Sequence, residues 1–112
     1  MSQLERTFSA LADPTRLRVI ELLRNGSLRA GELAEALAMS PPALSRHLRV
    51  LRTSGLIEER HDDEDARVRI YGLRHRPFTE LRRWIEEVEA FWAGELAAFK
   101  KHAESTRGRS KP

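Results

Sequence analysis

The chain has 112 residues, of which 40% are hydrophobic and 33% charged, with a formal net charge of +3 and no cysteine. This size and balance predict one globular domain, and the lack of cysteine excludes disulfides, zinc fingers and thiol chemistry. No apolar run approaches the roughly 20 residues of a membrane span. The N-terminal segment lacks the apolar centre of a secretory signal, so a cytoplasmic location is expected.

Two amphipathic helices are predicted at the start of the chain. The first covers residues 4–12, with its apolar residues on one face. The second covers about 14–24, because Asp13 can cap its first turn and Pro14 suits the first helical position. Gly26 suits its C-terminal end. The apolar residues that define the two faces are Leu4, Phe8 and Leu11 in the first helix and Leu17, Ile20 and Leu23 in the second.

A helix-turn-helix is predicted next. A short helix over about 30–38 is followed by a tight turn and a longer helix over about 40–54. Ser40 can cap the longer helix, and Pro41 fits its first turn. The residues expected to face inward are Leu33, Leu37, Leu44, Leu48 and Leu51. Two helices joined in this way, the second beginning at a capping serine, match the plan of a DNA-binding helix pair.

The outward face of the longer helix has the composition of a DNA-reading surface. At about 100° per residue, the side chains opposite the leucine stripe are small or basic. Small side chains allow close approach, and arginine pairs with guanine or phosphate. His47 lies on the flank of the stripe and is expected to be half-buried. The residues of this helix that face away from the stripe, and are predicted to contact DNA, are Pro42, Ser45, Arg46 and Arg49. From these residues alone, an ordinary solvated helical hairpin remains the alternative.

A short β-hairpin and a last helix complete the predicted order. The strands cover 56–59 and 68–73, with a polar turn between them. The helix covers about 77–101, and residues 102–112 are predicted to be a polar, disordered tail. The order α-α-α-α-β-β-α is mainly α with a small β-hairpin. It predicts a winged helix-turn-helix domain over residues 1–101.

The last helix carries an apolar seam that is close to a heptad repeat. A helix this apolar needs a partner, so self-association is favoured over packing on its own domain, with the first helix as second contributor. The predicted dimer-interface residues are Leu4, Phe8, Leu11, Phe78, Leu81, Ile85, Val88, Trp92, Leu96 and Phe99. A small apolar ligand pocket near Trp84, Phe91 and Trp92 is the less favoured alternative.

Three blocks of the sequence together resemble the ArsR family of bacterial regulators. They are ALADPTRLRVIELL at 10–23, GELAEALAMSPPALSRHLRVLRTSGLI at 31–57 and RVRIYGL at 67–73, in the family's order and spacing. The resemblance implies a homodimeric winged-helix repressor that binds an inverted repeat of double-stranded DNA. The positions that it places in the major groove are Pro41, Pro42, Ser45 and Arg46. The wing positions that it places at the backbone or minor groove lie around Arg60, Arg67 and Arg69.

The sequence departs from the family's pattern in three places. Pro41 stands where a polar residue, commonly glutamine, is frequent. The wing tip DDEDA is acidic and should be repelled by phosphate, so Arg67 and Arg69 are expected to carry any wing contact. The segment SLRAGEL has Arg29 and Gly31 where metal-sensing members have cysteines, and the predicted last helix has no aspartate or histidine. No metal or cofactor is therefore expected, and any inducer is an unknown small molecule.

No enzymatic chemistry is predicted. Ser45 and His47 point apart on their helix, and the wing tip lacks the glycine and terminal glutamate of a calcium loop. Two rival functions stay open. One is a winged helix that binds proteins and not DNA, and the other is a metal- or ligand-responsive family member. The residues that such a sensor could use are His61, Asp62, His75 and His102.

Overall fold

The computed structural model describes residues 1–109, which form five helices and three strands. In chain order these are α1 (Gln3–Leu11), α2 (Pro14–Leu23), β1 (Leu28–Arg29), α3 (Ala30–Leu37), α4 (Pro41–Thr53), β2 (Ile57–His61), β3 (Arg69–Leu73) and α5 (His75–Arg109). Residues 1–80 form one compact unit, and from Leu81 onward the described chain is α5 alone. The predicted winged helix-turn-helix order is confirmed, with β1 as an additional strand.

The caps predicted for the second helix and the longer helix of the pair are present. The Asp13 carboxylate accepts a hydrogen bond from the Arg16 backbone N–H at 3.0 Å. The Ser40 hydroxyl accepts one from the Ala43 backbone N–H at 3.4 Å. A proline follows each cap at the first helical position, where no N–H is needed. These local signals therefore fix where α2 and α4 begin.

The core of the first unit lies beneath the leucine stripe of α4. Leu44, Leu48 and Leu51 are buried, as their spacing predicts, in one cluster with Leu33 of α3 and Ile57 of β2. Each buried leucine side chain contributes about 1.5–3 kcal/mol relative to leaving it in water. Turning α4 about its axis would forfeit this burial. The opposite face of α4 is therefore held outward.

The buried face of α2 differs in part from the predicted one. Leu23 is buried and Ile20 half-buried, but Leu17 is exposed and Val19 is fully buried instead. Five of the last seven residues of α2 are apolar, so spacing alone does not select one face. The selection comes from packing against α3 and α4, which the local pattern does not contain.

The predicted apolar face of α1 is not the face that enters the core. α1 buries Thr7 and Ala10. Leu11 packs partly against the core and Leu4 is half-buried, whereas Phe8 is 44% exposed. The Thr7 hydroxyl is satisfied because it donates to the Gln3 carbonyl at 2.9 Å, which allows a polar residue to be buried here.

The sheet has three antiparallel strands in the order β1-β3-β2, where the sequence predicts two. In β1, Leu28 lies opposite Tyr71 and Arg29 opposite Ile70. A strand of two residues is too short to show an alternating pattern, which is why it was not predicted. Since β3 is the central strand, Tyr71 is only 4% exposed, although alternation places it on the exposed face.

The turn between α3 and α4 requires a left-handed backbone at Ala38. Its φ is +52°, where the side chain of an L-residue is crowded. The Met39 N–H donates to the Ala34 carbonyl at 3.0 Å and closes the end of α3. This is the geometry of a glycine C-cap, occupied here by alanine. The turn that sets the direction of α4 therefore contains a residue with a strained backbone.

Ala38→Gly is expected to raise the free energy of unfolding by about 1 kcal/mol, because glycine takes the left-handed conformation without crowding. Ala36→Gly is the matched control at an exposed position inside α3, and it is expected to lower the free energy of unfolding by about 1 kcal/mol. Urea unfolding followed by circular dichroism measures both. Destabilisation by both variants would contradict the strain at Ala38.

The last helix is longer than predicted at both ends. It begins at His75 and is 35 residues long, so residues 102–109 of the predicted disordered tail are helical. Residues 100–107 contain no glycine or proline, and Lys100, Lys101, Ala103 and Glu104 favour a helix, so nothing in this segment stops α5. Residues 110–112 of the predicted tail lie outside the described residues. None of the helices described has both the length and the apolar character that crossing a bilayer requires.

Candidate nucleic-acid interface

The outer face of α4 exposes every residue that the sequence predicts to contact DNA from this helix. The two prolines stand at its start, and Ser45 and Arg46 follow in the next turn. Arg49 lies one turn further on. Within residues 1–109, neither Arg46 nor Arg49 makes a side-chain hydrogen bond or ion pair. Both guanidinium groups therefore keep their donors available for phosphate or a base edge.

The third arginine of this helix is not available in the same way. The Arg52 guanidinium is bonded to the Glu59 carboxylate on β2. This pair links the C-terminal half of α4 to the wing. The unpaired positive charge of α4 therefore lies in its middle turns, at Arg46 and Arg49, and the helix dipole favours an anion at the first turn.

His47 connects α4 to the start of α2. It is half-buried, as predicted, and its Nδ1 lies 3.6 Å from Oδ2 of Asp13. The backbone N–H of Arg16 lowers the pKa of Asp13 against the opposing effect of burial, and the nearby His47 and Arg16 side chains lower it further. The capping carboxylate of α2 thus also lies beside the helix that carries the outward arginines.

The wing brings a fourth cation to the start of α4. Arg69 on β3 lines a cleft of about 200 Å³ together with Pro41, Ser45 and Tyr71. Because Arg69 is exposed, its charge stands beside the first two turns of α4 on one surface. The structure therefore joins the predicted helix contacts and one of the two predicted wing contacts.

Arg67, the other predicted wing contact, is already paired. Its backbone N–H donates to the Asp65 carboxylate at 3.0 Å, and its Nε lies 3.2 Å from Oδ1 of the same residue. These hydrogen bonds lower the pKa of Asp65. A phosphate would have to compete with Asp65 for this guanidinium. Arg69 is therefore the better placed of the two wing arginines.

The acidic residues of the wing tip hold its turn together. The Asp62 carboxylate accepts hydrogen bonds from the backbone N–H groups of Glu64 and Asp65, at 3.3 and 3.2 Å. Asp and Asn commonly build such turns, so this use could have been inferred from the sequence. The Asp62 and Asp65 carboxylates therefore serve as acceptors in this turn, and their charge is unfavourable towards DNA.

A partly buried network of Arg52, Glu59 and Tyr71 was missed by sequence reasoning. The Tyr71 hydroxyl donates to the Glu59 carboxylate at 2.8 Å, beside Arg52. Burial raises the pKa of Glu59, but the hydrogen bond from Tyr71 and the charges of Arg52 and Arg69 outweigh it, so the pKa is lowered. Burial and Glu59 raise the pKa of Tyr71. This network joins α4, β2 and β3 into one surface.

Glu59→Gln is expected to lower the free energy of unfolding at pH 7 by about 1–2 kcal/mol, because Tyr71 and Arg52 lose a charged acceptor. The folded-state pKa of Glu59 is lowered, so its contribution is complete above the unfolded pKa of about 4.3 and is lost as pH falls through the folded value. Urea unfolding between pH 3 and 7 measures this dependence. The exposed Glu58→Gln is the control. A difference between Glu59→Gln and wild type that persists undiminished at pH 3 would contradict the ionic origin.

The apolar face of α5 is exposed from residue 84 onward. Trp92 is 59% and Phe99 72% exposed, and the other exposed members of this face are Trp84, Ile85, Val88, Phe91 and Leu96. Leu81 is half-buried. Phe78, which is also predicted to lie in the dimer interface, is partly buried against the core of the first unit. It is the fourth residue of α5 and belongs to that unit, which heptad spacing alone does not reveal.

No metal site is formed by the described residues, since no three histidine, aspartate or glutamate side chains among them are grouped closely enough to hold an ion. α5 contains His75 and His102, because it is longer than the predicted helix that lacked histidine. Neither belongs to such a group.

A helix-turn-helix whose second helix exposes unpaired arginines beside Arg69 of the wing defines a class of protein, the DNA-binding transcriptional regulator. The family model "Bacterial regulatory protein, arsR family" matches residues 13–59. The HTH-type transcriptional regulator Rv2034 of Mycobacterium tuberculosis is 37% identical over 95 residues, or 85% of this chain and 83% of that protein. The chain belongs to the arsR family.

Two further similarities agree with this assignment. The transcriptional repressor SdpR of Bacillus subtilis is 36% identical over 56 residues, which are 50% of this chain and 62% of that repressor. The solved structure of an ArsR-like transcriptional regulator from Rhodococcus sp. RHA1 superposes with a TM-score of 0.72 at 30% identity. That superposition covers 88% of this chain and 91% of the Rhodococcus chain. The region that the family model matches, residues 13–59, includes the whole helix-turn-helix.

Proposed function

We propose that the chain is a homodimeric repressor that binds an inverted-repeat operator in double-stranded DNA. The exposed face of α4 carries the proposal, because its outward arginines have no partner among residues 1–109. The similarity to a protein named as a transcriptional repressor supports the direction of regulation. Because its target in this proposal is DNA, the protein acts in the cytoplasm. The proposal includes no catalytic activity, metal or cofactor, and leaves room for a small-molecule inducer.

In this proposal α4 enters the major groove with its N-terminal half. Arg46 pairs with a base edge, and Ser45 and the two prolines allow close approach. Arg49 contacts backbone phosphate, and the positive end of the helix adds to the attraction. Arg69 contacts the backbone from the wing, with Arg67 as a weaker contact that Asp65 partly occupies.

The proposal requires two copies of the chain. One chain offers one α4, so a symmetric operator needs a second copy related by a two-fold axis. The exposed apolar side chains on α5 form a surface of the kind that pairs with another copy. Phe8 on α1, also exposed, is the second proposed contributor. Leu4 and Leu11 contribute less in this proposal, because both are already partly buried.

Footprinting on the DNA upstream of the protein's own gene tests the proposal. Two protected half-sites with centres about 10–10.5 base pairs apart, or a multiple of that spacing, are expected for a symmetric dimer. Binding to this duplex is also expected to exceed binding to a scrambled duplex of equal composition at the same salt concentration. If both duplexes bind equally weakly, the winged helix serves protein interaction and the repressor proposal fails.

A further inference from the structure

A second cleft in the first unit has a strongly cationic lining. Its volume is about 370 Å³, and it is lined by Gln3, Arg6, Gly55, Arg74, Arg76, Pro77 and Glu80. With three arginines and one glutamate, the lining carries a net charge of +3 − 1 = +2. α1, the turn after α4 and the junction of β3 with α5 all contribute to it. None of these residues belongs to the predicted DNA-contacting set.

Arg6 is held in place by neutral groups. One guanidinium nitrogen donates to the Met1 carbonyl at 2.6 Å, and another donates to Oε1 of Gln3 at 3.2 Å. Gln3 is itself fixed, because its amide nitrogen donates to the Ser54 carbonyl at 2.8 Å. Neither acceptor is an acid, so the charge of Arg6 is positioned without being neutralised. A guanidinium oriented in this way is ready to bind an anion.

The other two arginines of the cleft are poorly compensated. Arg74 is anchored through its backbone N–H, which donates to the Leu56 carbonyl at 2.9 Å. Among residues 1–109, its side chain has no hydrogen bond or ion pair. Arg76 has one acid, Glu80, at 3.5 Å, in an exposed i,i+4 pair that contributes little. The first turn of α5 has no acidic residue, so the positive end of that helix adds to the charge of the cleft.

The position of this cleft separates it from the DNA-facing surface. Arg69 lies at one end of β3 beside the start of α4, and Arg74 follows the other end. A strand rises about 3.3 Å per residue, so the two arginines are roughly 15 Å apart along the sheet. Gly55 follows the C-terminal end of α4, which is about 20 Å from its N-terminal end. The cleft therefore lies behind the surface that the proposed operator contact uses.

We propose that this cleft binds a small multivalent anion, such as a phosphate ester or a di- or tricarboxylate, through Arg6, Arg74 and Arg76. Planar guanidinium groups bind phosphate and carboxylate oxygens with paired hydrogen bonds. The volume suits an anion with a small organic body. Because the cleft joins α1 to the start of α5, the anion touches both proposed dimer-forming elements. Its role as an effector rests on the proposed function, but its binding does not.

Calorimetric titration of the full chain with inorganic pyrophosphate and with citrate, at constant ionic strength, tests the site. One anion per chain and a dissociation constant below about 1 mM are expected for at least one of the two probes. Arg74→Gln and Arg76→Gln should each weaken this binding by about tenfold or more, through loss of charge-assisted hydrogen bonds. Arg18→Gln is the matched control, because it removes an exposed arginine of α2 outside the cleft.

Two further measurements locate the anion. In an NMR titration, the Gly55 amide signal should shift with the calorimetric dissociation constant, whereas the Gly31 amide, beside α4, should not. Arg74→Gln should bind the operator within twofold of wild type when no anion is present. If anion binding does not saturate, or if Arg18→Gln weakens it as much as Arg74→Gln does, the anion is held only by the general positive charge of the chain. Either result would overturn the proposal. Operator affinity lost in Arg74→Gln would overturn it in favour of a DNA phosphate contact.

The anion titrations contain no DNA, so they stand even if no operator is found. Conversely, operator binding could succeed while pyrophosphate and citrate both fail to bind. The two proposals therefore fail independently.

Discussion

Arg46→Ala is expected to weaken binding to the operator by about ten- to hundredfold at each half-site, and to reduce the preference for operator over scrambled duplex. Loss of a paired contact between arginine and a base edge costs about 1–3 kcal/mol. The side chain is exposed in the second turn of α4, and within residues 1–109 it has no partner that would be released on binding. Fluorescence anisotropy with both duplexes at one salt concentration measures the effect.

Arg18→Ala is the control for this experiment. It removes the same charge from an exposed position on α2, so it should lose only the general attraction to DNA, equally for both duplexes. If Arg46→Ala weakens both duplexes by the same factor, Arg46 is a phosphate contact and reads no base. Unchanged affinity for both would mean that the outer face of α4 does not enter the groove.

The helix-turn-helix could be predicted from the sequence because its signals are local. Ser40 and Pro41 mark the start of α4, and Leu44, Leu48 and Leu51 mark its buried face. Each of these signals depends on residues within two or three turns of one helix. Once the buried face is fixed, the outward residues follow from helix geometry. The exposure of Pro42, Ser45, Arg46 and Arg49 needed no information from elsewhere in the chain.

What the sequence could not show depends on contacts between distant segments. β1 becomes a strand only because Leu28 and Arg29 pair with β3, more than 40 residues later. Tyr71 is buried because that pairing makes β3 a central strand, and its hydroxyl then needs Glu59 as an acceptor. α2 offers several apolar faces, and α3 and α4 select the one with Val19. In each case the residues that determine the structure lie far along the chain, outside the local pattern of apolar and polar residues.

The predicted interface shows the same distinction between local and distant information. Heptad spacing treats Phe78 and Ile85 as equivalent positions of one seam. The structure distinguishes them, because Phe78 packs on the core of the first unit and Ile85 is exposed. Spacing therefore identifies an apolar seam, but it does not show which of the seam residues pack against the core of their own chain. The exposed remainder of the seam is the surface that the proposed dimer needs.

The double variant Trp92→Ala/Leu96→Ala is expected to dissociate the dimer. Each side chain contributes about 1.5–3 kcal/mol when buried, and a two-fold dimer loses both of them twice. The expected loss is therefore about 6 kcal/mol or more, or roughly a ten-thousandfold rise in the dissociation constant. Alanine has a higher helix propensity than either residue, so α5 itself should persist. Sedimentation equilibrium over a range of protein concentrations measures the change.

Glu87→Ala/Lys101→Ala is the matched control, since it places two alanines on the opposite side of the same helix and leaves the net charge unchanged. It should keep the dissociation constant of wild type. The Trp92→Ala/Leu96→Ala variant should also lose its operator affinity at protein concentrations where wild type is dimeric, because a monomer presents one α4 to a two-part site. A variant that stays dimeric would place the interface elsewhere. If the variant is monomeric but binds the operator as wild type does, the chain recognises a single half-site. A symmetric repressor would then be the wrong description.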